Sequence, residues 1–354
     1  VVPKLRHHLR FRQSSWKLDD LPAERNSPLH KYWQWGLTGK SGRDNTLVYV
    51  EQTGREDGDG LLNSASITEL VHTRMLDYER MLRHVMEVEK NTGEQSGVTI
   101  ILDLEGLEFG SKLIRNVTGP FKGIIAVQAE HYVELFNRII IVNAPFFMHR
   151  IWALAQPFLP EKTRNKVKIL SGSWRHEILE FADASTLPSR WNKGNDSGFL
   201  FDLPLIQAIP KTAHWQRTML GPRARTLWVP AGDCKLIDIE IKAPGAELSF
   251  AFQTHGDFGF GVFYSENARE TDPESMQMVY PFFPKLPGPV PLPVMDRLKC
   301  EKTGIYKLWF GNLTAWWGSL KIEYMVEIDS DISRHFVAPA NPLKVGRKYS
   351  MPTP

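Results

Sequence analysis

LVYVEQTGREDGDGLLNSASITELVHTRMLDYERMLRHVMEVEKNTGEQSGVTIILD, residues 47–103, sets one long helical pattern between two short apolar runs. The runs Leu47–Gln52 and Val98–Asp103 are rich in Val, Ile and Leu, as strands are when helices cover one or both faces of their sheet. Between them Ile67, Leu70, Val71, Met75, Tyr78, Leu82, Val85 and Met86 fall on one helical stripe. Ser66 and Glu69 stand at capping-box spacing ahead of that stripe, and Asn91, Thr92 and Gly93 end it. Strand, helix and strand in this order mark a βαβ unit and a largely parallel sheet.

The alternation continues to about Leu187, with further strands expected at Arg138–Asn143 and Lys166–Leu170. A helical stretch from about Lys112 to Phe136 is expected in two pieces, because Gly119 and Pro120 interrupt it. After about Ser197 the apolar period becomes two. Ile237, Ile239 and Ile241 alternate with the charged Asp238, Glu240 and Lys242; Leu248, Phe250 and Phe252, then Phe258, Phe260 and Val262, then Leu320, Ile322, Tyr324 and Val326 repeat the spacing of two. Turn clusters separate these runs, which predicts an all-β sandwich of seven or eight antiparallel strands. Pro281–Pro293 reads as a loop or edge connection, and residues 330–354, proline-rich and without apolar periodicity, as an extended or disordered tail.

The chain has 354 residues, enough for two units, since a single core stops growing at about 250–300 residues. Hydrophobic residues at 42% and charged residues at 23% are ordinary for a folded protein and exclude general disorder and fibrous repeats. Lys and Arg outnumber Asp and Glu by only 43 to 40, too small a surplus for a dedicated nucleic-acid binder. Two cysteines, Cys234 and Cys300, exclude a disulfide-dense secreted scaffold and a cysteine-rich zinc module; their pairing is left open. No run approaches the about 18 apolar residues of a membrane span, and basic Val1–Arg12 lacks the apolar core of a signal peptide. A cytoplasmic protein is expected, and a first residue Val rather than Met points to a missing N-terminal piece.

Catalytic motifs find little support. Gly39, Lys40 and Ser41 mimic the end of a phosphate-binding loop, but Gln34 stands where its first glycine is required and no strand is expected ahead of it. Gly256, Gly259 and Gly261 lack dinucleotide-site spacing and lie in a strand pattern, where glycine permits close packing. No nucleophile elbow, zinc-protease helix or paired-cysteine motif occurs. Asp103 and Glu105 end a buried strand, where a carboxylate serves as a cap more often than as a base. His131, beside Glu130 and Glu134, is either a base or a solvated pair. Sequons at Asn116, Asn195 and Asn312 matter only in a secreted protein.

The unusual stretch is apolar. APFFMHRIWALAQPFL, residues 144–159, predicts a helix with Phe146, Phe147, Met148, Ile151, Trp152, Leu154, Phe158 and Leu159 around most of its circumference and no acidic residue. A surface helix shows one apolar stripe. This one is either a fully buried core helix or a lid that closes an apolar pocket and meets lipid with its other face.

Residues 47–61, 98–110, 130–159 and 163–188 together resemble the successive blocks of the CRAL-TRIO lipid-binding domain, whose prototype is the yeast secretory phosphatidylinositol/phosphatidylcholine transfer protein. LRHHLRFRQSSWKLDDL, residues 5–21, is similar to the last helix of that family's N-terminal helical subdomain. GDFGFGVFYS (residues 256–265) and CEKTGIYKLWFGN (residues 300–312) resemble a GOLD β-sandwich, and the tandem is similar to supernatant protein factor and tocopherol-associated proteins. The resemblance implies an α/β CRAL-TRIO domain, a mostly parallel sheet flanked by helices around an apolar pocket, followed by an all-β GOLD sandwich. The expected boundaries are a remnant helical subdomain at 1–30, the lipid-binding domain at 31–195, a linker at 196–221, the sandwich at 222–329 and a tail at 330–354.

The family implies a carrier rather than an enzyme, needing no metal or cofactor beyond a bound hydrophobic lipid such as phosphatidylinositol, tocopherol or squalene. Its partners would be that lipid, transiently a membrane surface, and a protein met through the GOLD domain; an adaptor that responds to lipid through that domain is the alternative. By the same resemblance Glu134 and Lys166 form a headgroup pair, residues 146–159 act as a mobile gate, and Ile100, Leu102, Ile139 and Ile141 line the pocket from the strands. Two positions depart from the family: Val133 replaces the proline of a YPE motif, and Trp191, Asn192 and Lys193 stand where a glycine pair is usual. Lys344, Arg347 and Lys348 would add weak attraction to anionic lipid or form a solvated tail.

Overall fold

Five strands form the first sheet in the computed structural model, which describes residues 2–21, 27–33, 35–110, 113, 119–132, 134–156, 161–194, 198–216 and 220–329. They are β1 (Trp35–Lys40), β2 (Thr46–Glu51), β3 (Gly97–Asp103), β4 (Phe136–Val142) and β5 (Val167–Ile169), adjacent in chain order. β1 runs antiparallel to β2, and the other three pairings are parallel. β4 starts earlier than its apolar run, and β5 is shorter than expected because Lys166 still belongs to a helix. β1 has no counterpart in the apolar pattern: among its six residues only Thr38 is buried. It leads into Gly39–Ser41, yet Ser41 closes a turn onto Asp44 rather than opening a helix, so no phosphate cradle forms.

Three helices precede or bridge these strands: α1 (Val2–Arg12), α2 (Gly58–Ser64) and α3 (Ile67–Thr92). The expected capping box of α3 is present, with the Ser66 amide donating to Glu69 Oε2 at 2.7 Å and the Glu69 amide to Ser66 Oγ at 3.3 Å. Gly93, at φ 71°, ends it in the left-handed conformation that glycine adopts without steric cost. The second expected helical stretch yields α4 (Pro120–His131), and Leu135 already lies in the turn that enters β4.

Strand side chains alternate between the faces of a sheet, so the register sorts them. Tyr49, Ile100 and Ile139 pair in one row and share a core with α3; Val50, Ile101 and Ile140 pair in the next and face the other way. That second face is sealed by Leu170, Trp174, Ile178, Leu187, Trp191, Phe199 and Leu203.

Arg74 ties α3 to β1 and β2. Only 2% exposed, it hydrogen-bonds Glu51, reaches Asp77 Oδ2 at 3.1 Å, and lies over the rings of Trp33 at 3.6 Å and Trp35 at 4.7 Å. Glu56 lies 3.7 Å away; burial, and then the charge of Glu51, push its carboxyl well above the usual range. A guanidinium here compensates several carboxyls that burial otherwise penalises.

Among the described residues, eight strands build the sandwich: β6 (Arg225–Val229), β7 (Cys234–Ile241), β8 (Glu247–Thr254), β9 (Phe258–Ser265), β10 (Gln277–Leu286), β11 (Val294–Lys299), β12 (Gly304–Gly311) and β13 (Leu320–Ile328). The sheets run β10-β9-β12-β7 and β11-β8-β13-β6, with Phe250, Phe252, Phe260 and Phe310 interlocked between them. The proline-rich segment is a strand in its first part. Pro281 and Pro284 sit in β10, an edge strand, where a missing amide donor costs least. In β9 a Cβ at Gly259 would meet the Trp309 ring at 2.6 Å, so this glycine serves close packing. Cys234 and Cys300 are both free thiols.

The cores of the two units are continuous. α1 and α4 pack on β10: the Ser15 amide donates to Val279 O at 2.9 Å, Phe11 meets Phe283 at 5.8 Å between ring centroids, and a Cβ at Gly123 would stand 2.4 Å from Pro287. The segment 196–221, where it is described, lies along the first unit, with Trp215 N–H donating to Asn63 O and Gln52 Nε2 to Pro204 O. The expected tail at 330–354 and the sequons at Asn116 and Asn195 lie outside the described residues.

Replacing Arg74 with Met leaves buried carboxylates uncompensated and should lower unfolding free energy by about 3–5 kcal/mol, measured by urea denaturation. A loss below about 1 kcal/mol, the scale of an exposed pair, would show that Arg74 is not the brace described.

Candidate functional site

Parallel β3, β4 and β5 end at one edge of the sheet, where open α/β sheets hold their ligands. Asp103, 1% exposed, closes that edge from within. Its Oδ1 accepts from Asn143 Nδ2 at 2.8 Å and the Glu105 amide at 3.1 Å; its Oδ2 accepts from Arg190 Nη2 at 2.9 Å and Trp191 Nε1 at 2.8 Å. Four donors occupy both oxygens, so the carboxylate is a brace and has no lone pair free for a substrate proton. Glu105 turns outward to Arg55. Trp191 is buried edge-on against Trp174, so the residues standing in place of a glycine pair anchor the chain there.

Over this edge lies a cleft of about 460 Å3, lined by Leu104, Asn143, His149, Trp174, Arg175 and Lys193 among others. Its wall is mixed in polarity, and none of the residues expected to line an apolar pocket contributes to it. Trp174 belongs to the sealed face of the sheet, whereas the expected strand residues point to the opposite face.

Ile100 pairs with Ile139 and Leu102 with Ile141, so the four expected strand residues share one face. Ile100 and Ile141 are buried; Leu102 and Ile139, in central strands, are only half-buried. Apolar side chains at the middle of a covered sheet are close-packed on every side unless space adjoins them.

The expected helix at 144–159 is shorter. Asn143 turns at φ 51°, Pro145 follows, and the helix α5 spans Met148–Ala155 with Phe147 as its cap. Phe147, Met148, Ile151 and Trp152 are half-buried, His149, Arg150 and Ala153 exposed, and Phe146 84% exposed. These described residues make it a surface helix, not a buried core helix. Phe146, Phe147 and Phe109 form an aromatic group with centroids 5.2 and 5.8 Å apart, and Phe109 is itself 60% exposed. Phe158, Leu159 and the side chain of Leu154 lie outside the described residues.

Glu134 and Lys166 are brought together by the turn into β4 and by α6 (Glu161–Lys166), Lys166 Nζ standing 3.9 Å from Glu134 Oε2. Lys162 Nζ is closer, 3.1 Å from Oε1, and Glu134 is 70% exposed. The hydrogen bond from Lys162, then its charge and that of Lys166, hold the carboxyl below its usual range. Val133 lies outside the described residues.

His131 ends α4 inside a cluster that no local pattern announces. Its Nδ1 lies 3.0 Å from His8 Nδ1, its ring 4.2 Å from that of Phe11, and donor atoms of His7, Glu130 and His131 all fall within 4.8 Å of one another. That spacing admits one divalent ion. Burial, then the positive charges of His7, His8 and Arg12, push His131 down to about 3, so its imidazole is neutral and packs as a ring between α1 and α4. It is not a solvated pair.

Residues 35–194 match the family model of the CRAL/TRIO domain, and residues 222–334 match that of the F28H7.8-like, C-terminal domain. A CRAL-TRIO domain-containing protein of Caenorhabditis elegans, F28H7.8, is 27% identical over 89% of this chain and 78% of its own length. Protein ctg-1 of the same nematode is 23% identical over 93% of this chain and 87% of its own. A phosphatidylinositol/phosphatidylcholine transfer protein of Arabidopsis thaliana, SFH7, is 27% identical over 48% of this chain, which spans only 31% of that protein. Among solved structures, Sfh5 aligns over 48% of this chain and 57% of its own, with 19% identity and a TM-score of 0.39.

A histidine whose folded pKa lies below its unfolded value of about 6.5 favours folding above that value and loses the advantage as pH falls toward 3. Stability measured by urea denaturation should therefore fall between pH 6.5 and 4, and His131→Asn should flatten the slope. An identical slope in the variant would contradict a neutral His131 packed against α1.

Proposed function

We propose, from the match of residues 35–194 to the CRAL/TRIO domain family, that the protein binds one hydrophobic lipid and carries it between membranes without chemical turnover. The lipid-binding unit is 31–195, with α1 packed ahead of it, 196–221 the connection, and 222–329 a GOLD-like sandwich that meets a membrane or protein partner. The location is cytoplasmic and transiently membrane-associated. One contrast carries the reading: Ile101 and Ile140 are fully buried on the sealed face, while Leu102 and Ile139, one residue away on the same strands, keep exposed apolar surface. A guest lipid completes that burial. Each methylene it buries contributes about 0.8 kcal/mol, so about ten hold the lipid by 8 kcal/mol, equivalent to a micromolar dissociation constant. Release into water is then slow, and exchange requires a bilayer.

Residues 146–155, with exposed Phe146, half-buried Phe147 and the helix α5, supply the gate, and exposed Phe109 packs against Phe147. Phosphatidylinositol fits the paired charges: Lys166 would counter the phosphate and Glu134 accept an inositol hydroxyl, with Lys162 released from it. Tocopherol and squalene are the alternatives that need no such pair. The continuous core from α1 and α4 into β10 favours a second reading, a lipid-responsive adaptor whose sandwich registers occupancy. Firm lipid retention with little vesicle-to-vesicle transfer would identify it.

Native mass spectrometry of the full chain should detect one lipid per protein; an empty protein that also takes up nothing from phosphatidylcholine–phosphatidylinositol vesicles would refute the carrier. If phosphatidylinositol is the guest, Glu134→Ala with Lys166→Ala should abolish its retention, and undiminished retention would remove the headgroup pair. Phe147→Asp or Trp152→Asp should slow lipid exchange between vesicles, whereas wild-type rates would remove the gate.

A further inference from the structure

We propose that the loop joining β12 to β13, residues 312–319, is a membrane-docking site that seats Trp316 and Trp317 in the headgroup boundary of a phospholipid bilayer. This deepens the carrier reading, on which it rests for a reason to visit membranes, and it uses none of the gate residues.

Trp316 is 96% and Trp317 87% exposed, with Leu313 at 48% beside them. Of the 11 tryptophans, Trp16, Trp33, Trp174, Trp191 and Trp309 are buried and Trp35, Trp152 and Trp215 half-buried, so an adjacent pair this fully exposed stands apart from the others. The loop is not loose at its base. Buried Asn312 donates through its amide to Asp233 O at 2.9 Å and through Nδ2 to Val229 O at 3.1 Å; its own carbonyl accepts from Gly232 and Ala315. Gly318 closes the turn at φ 80°. The indoles are thus presented outward by a fixed frame, and Trp228 on neighbouring β6, 57% exposed, stands opposite Lys321 just behind them.

A bilayer suits this tip better than a protein does. A standard protein interface takes about 800 Å2 from each partner and a polar rim. Two indoles bring roughly 150–250 Å2 each, and residues 311–320 contain no charged side chain to form a rim. At a membrane boundary the ring enters the apolar margin while its N–H stays hydrated, which satisfies both parts of tryptophan. Charges near the tip cancel in pairs, Lys321 with Glu323 at 3.1 Å and Lys235 with Asp233 at 4.0 Å. Docking therefore depends on the indoles and needs no anionic lipid.

The test is flotation of the full chain with vesicles of phosphatidylcholine alone and of equal parts phosphatidylcholine and phosphatidylserine. Wild type should float with both, and brominated phosphatidylcholine should quench its tryptophan emission. Trp316→Ser with Trp317→Ser should lose about tenfold or more in partitioning, together with that quenching, and keep wild-type thermal stability and lipid content. Wild-type flotation in the double variant would overturn the docking site while leaving the carrier intact, as would flotation that requires phosphatidylserine or a wild type that floats with neither vesicle. Tryptophan-dependent flotation of a chain without bound lipid would support the loop and count against the carrier.

Discussion

A carboxylate buried at the end of a central strand must have its oxygens occupied, and Asp103 meets that constraint with donors from three separate segments of chain. Asn143 follows β4, Glu105 follows β3, and Arg190 with Trp191 arrive from beyond β5. One anion thereby fixes the loops that leave the sheet at the edge where α/β proteins keep ligands. It also fixes the sealed face, because Trp191 is both a donor to Asp103 and a core residue packed on Trp174. A chemical role for this acid and its structural role exclude each other, since the same lone pairs would serve both.

With one face filled by aromatic packing, adaptability is confined to the other. There the central strands present Leu102 and Ile139 half-buried; elsewhere, the helix after β4 also carries half-buried apolar side chains. Incomplete burial of apolar surface is costly for a chain alone, and it is this cost that the proposed guest lipid would relieve. The sandwich is not a detached module in this scheme. It is joined through α1 and α4 to the unit that holds this face, and it carries two indoles at a tip whose base is rigid.

Much of this was legible in the residues. The stripe and capping box of α3 are local signals, and so is the period of two in β7, where one face is buried and the other exposed; in β8 and β9 the large apolar residues keep that period although Ser, Ala and Gly on the other face are buried too. β1 escaped because an edge strand with one buried residue has no alternation to read, and β10 because its prolines are tolerated only at an edge. The helix at 144–159 was overextended: composition favours it, but Asn143 and Pro145 set the true start. The meeting of His7 and His8 with His131 joins residues far apart in the chain, and no spacing rule reaches that far. Glu134 and Lys166 were paired by family resemblance alone, and Lys162 beside them had no signal in the sequence. Likewise a Trp-Trp pair in a turn is ambiguous until its exposure is known.

The central claim is that an oily guest lies against the Leu102 and Ile139 face. Isotope-filtered nuclear Overhauser spectroscopy on the full chain, with labelled methyl groups and an unlabelled bound lipid, tests it most directly. Cross-peaks from the lipid methylenes to Leu102 and Ile139, and none to Ile101 and Ile140, are the predicted result. Contacts to Ile101 and Ile140 instead, or to neither pair in a chain shown to hold lipid, would contradict it.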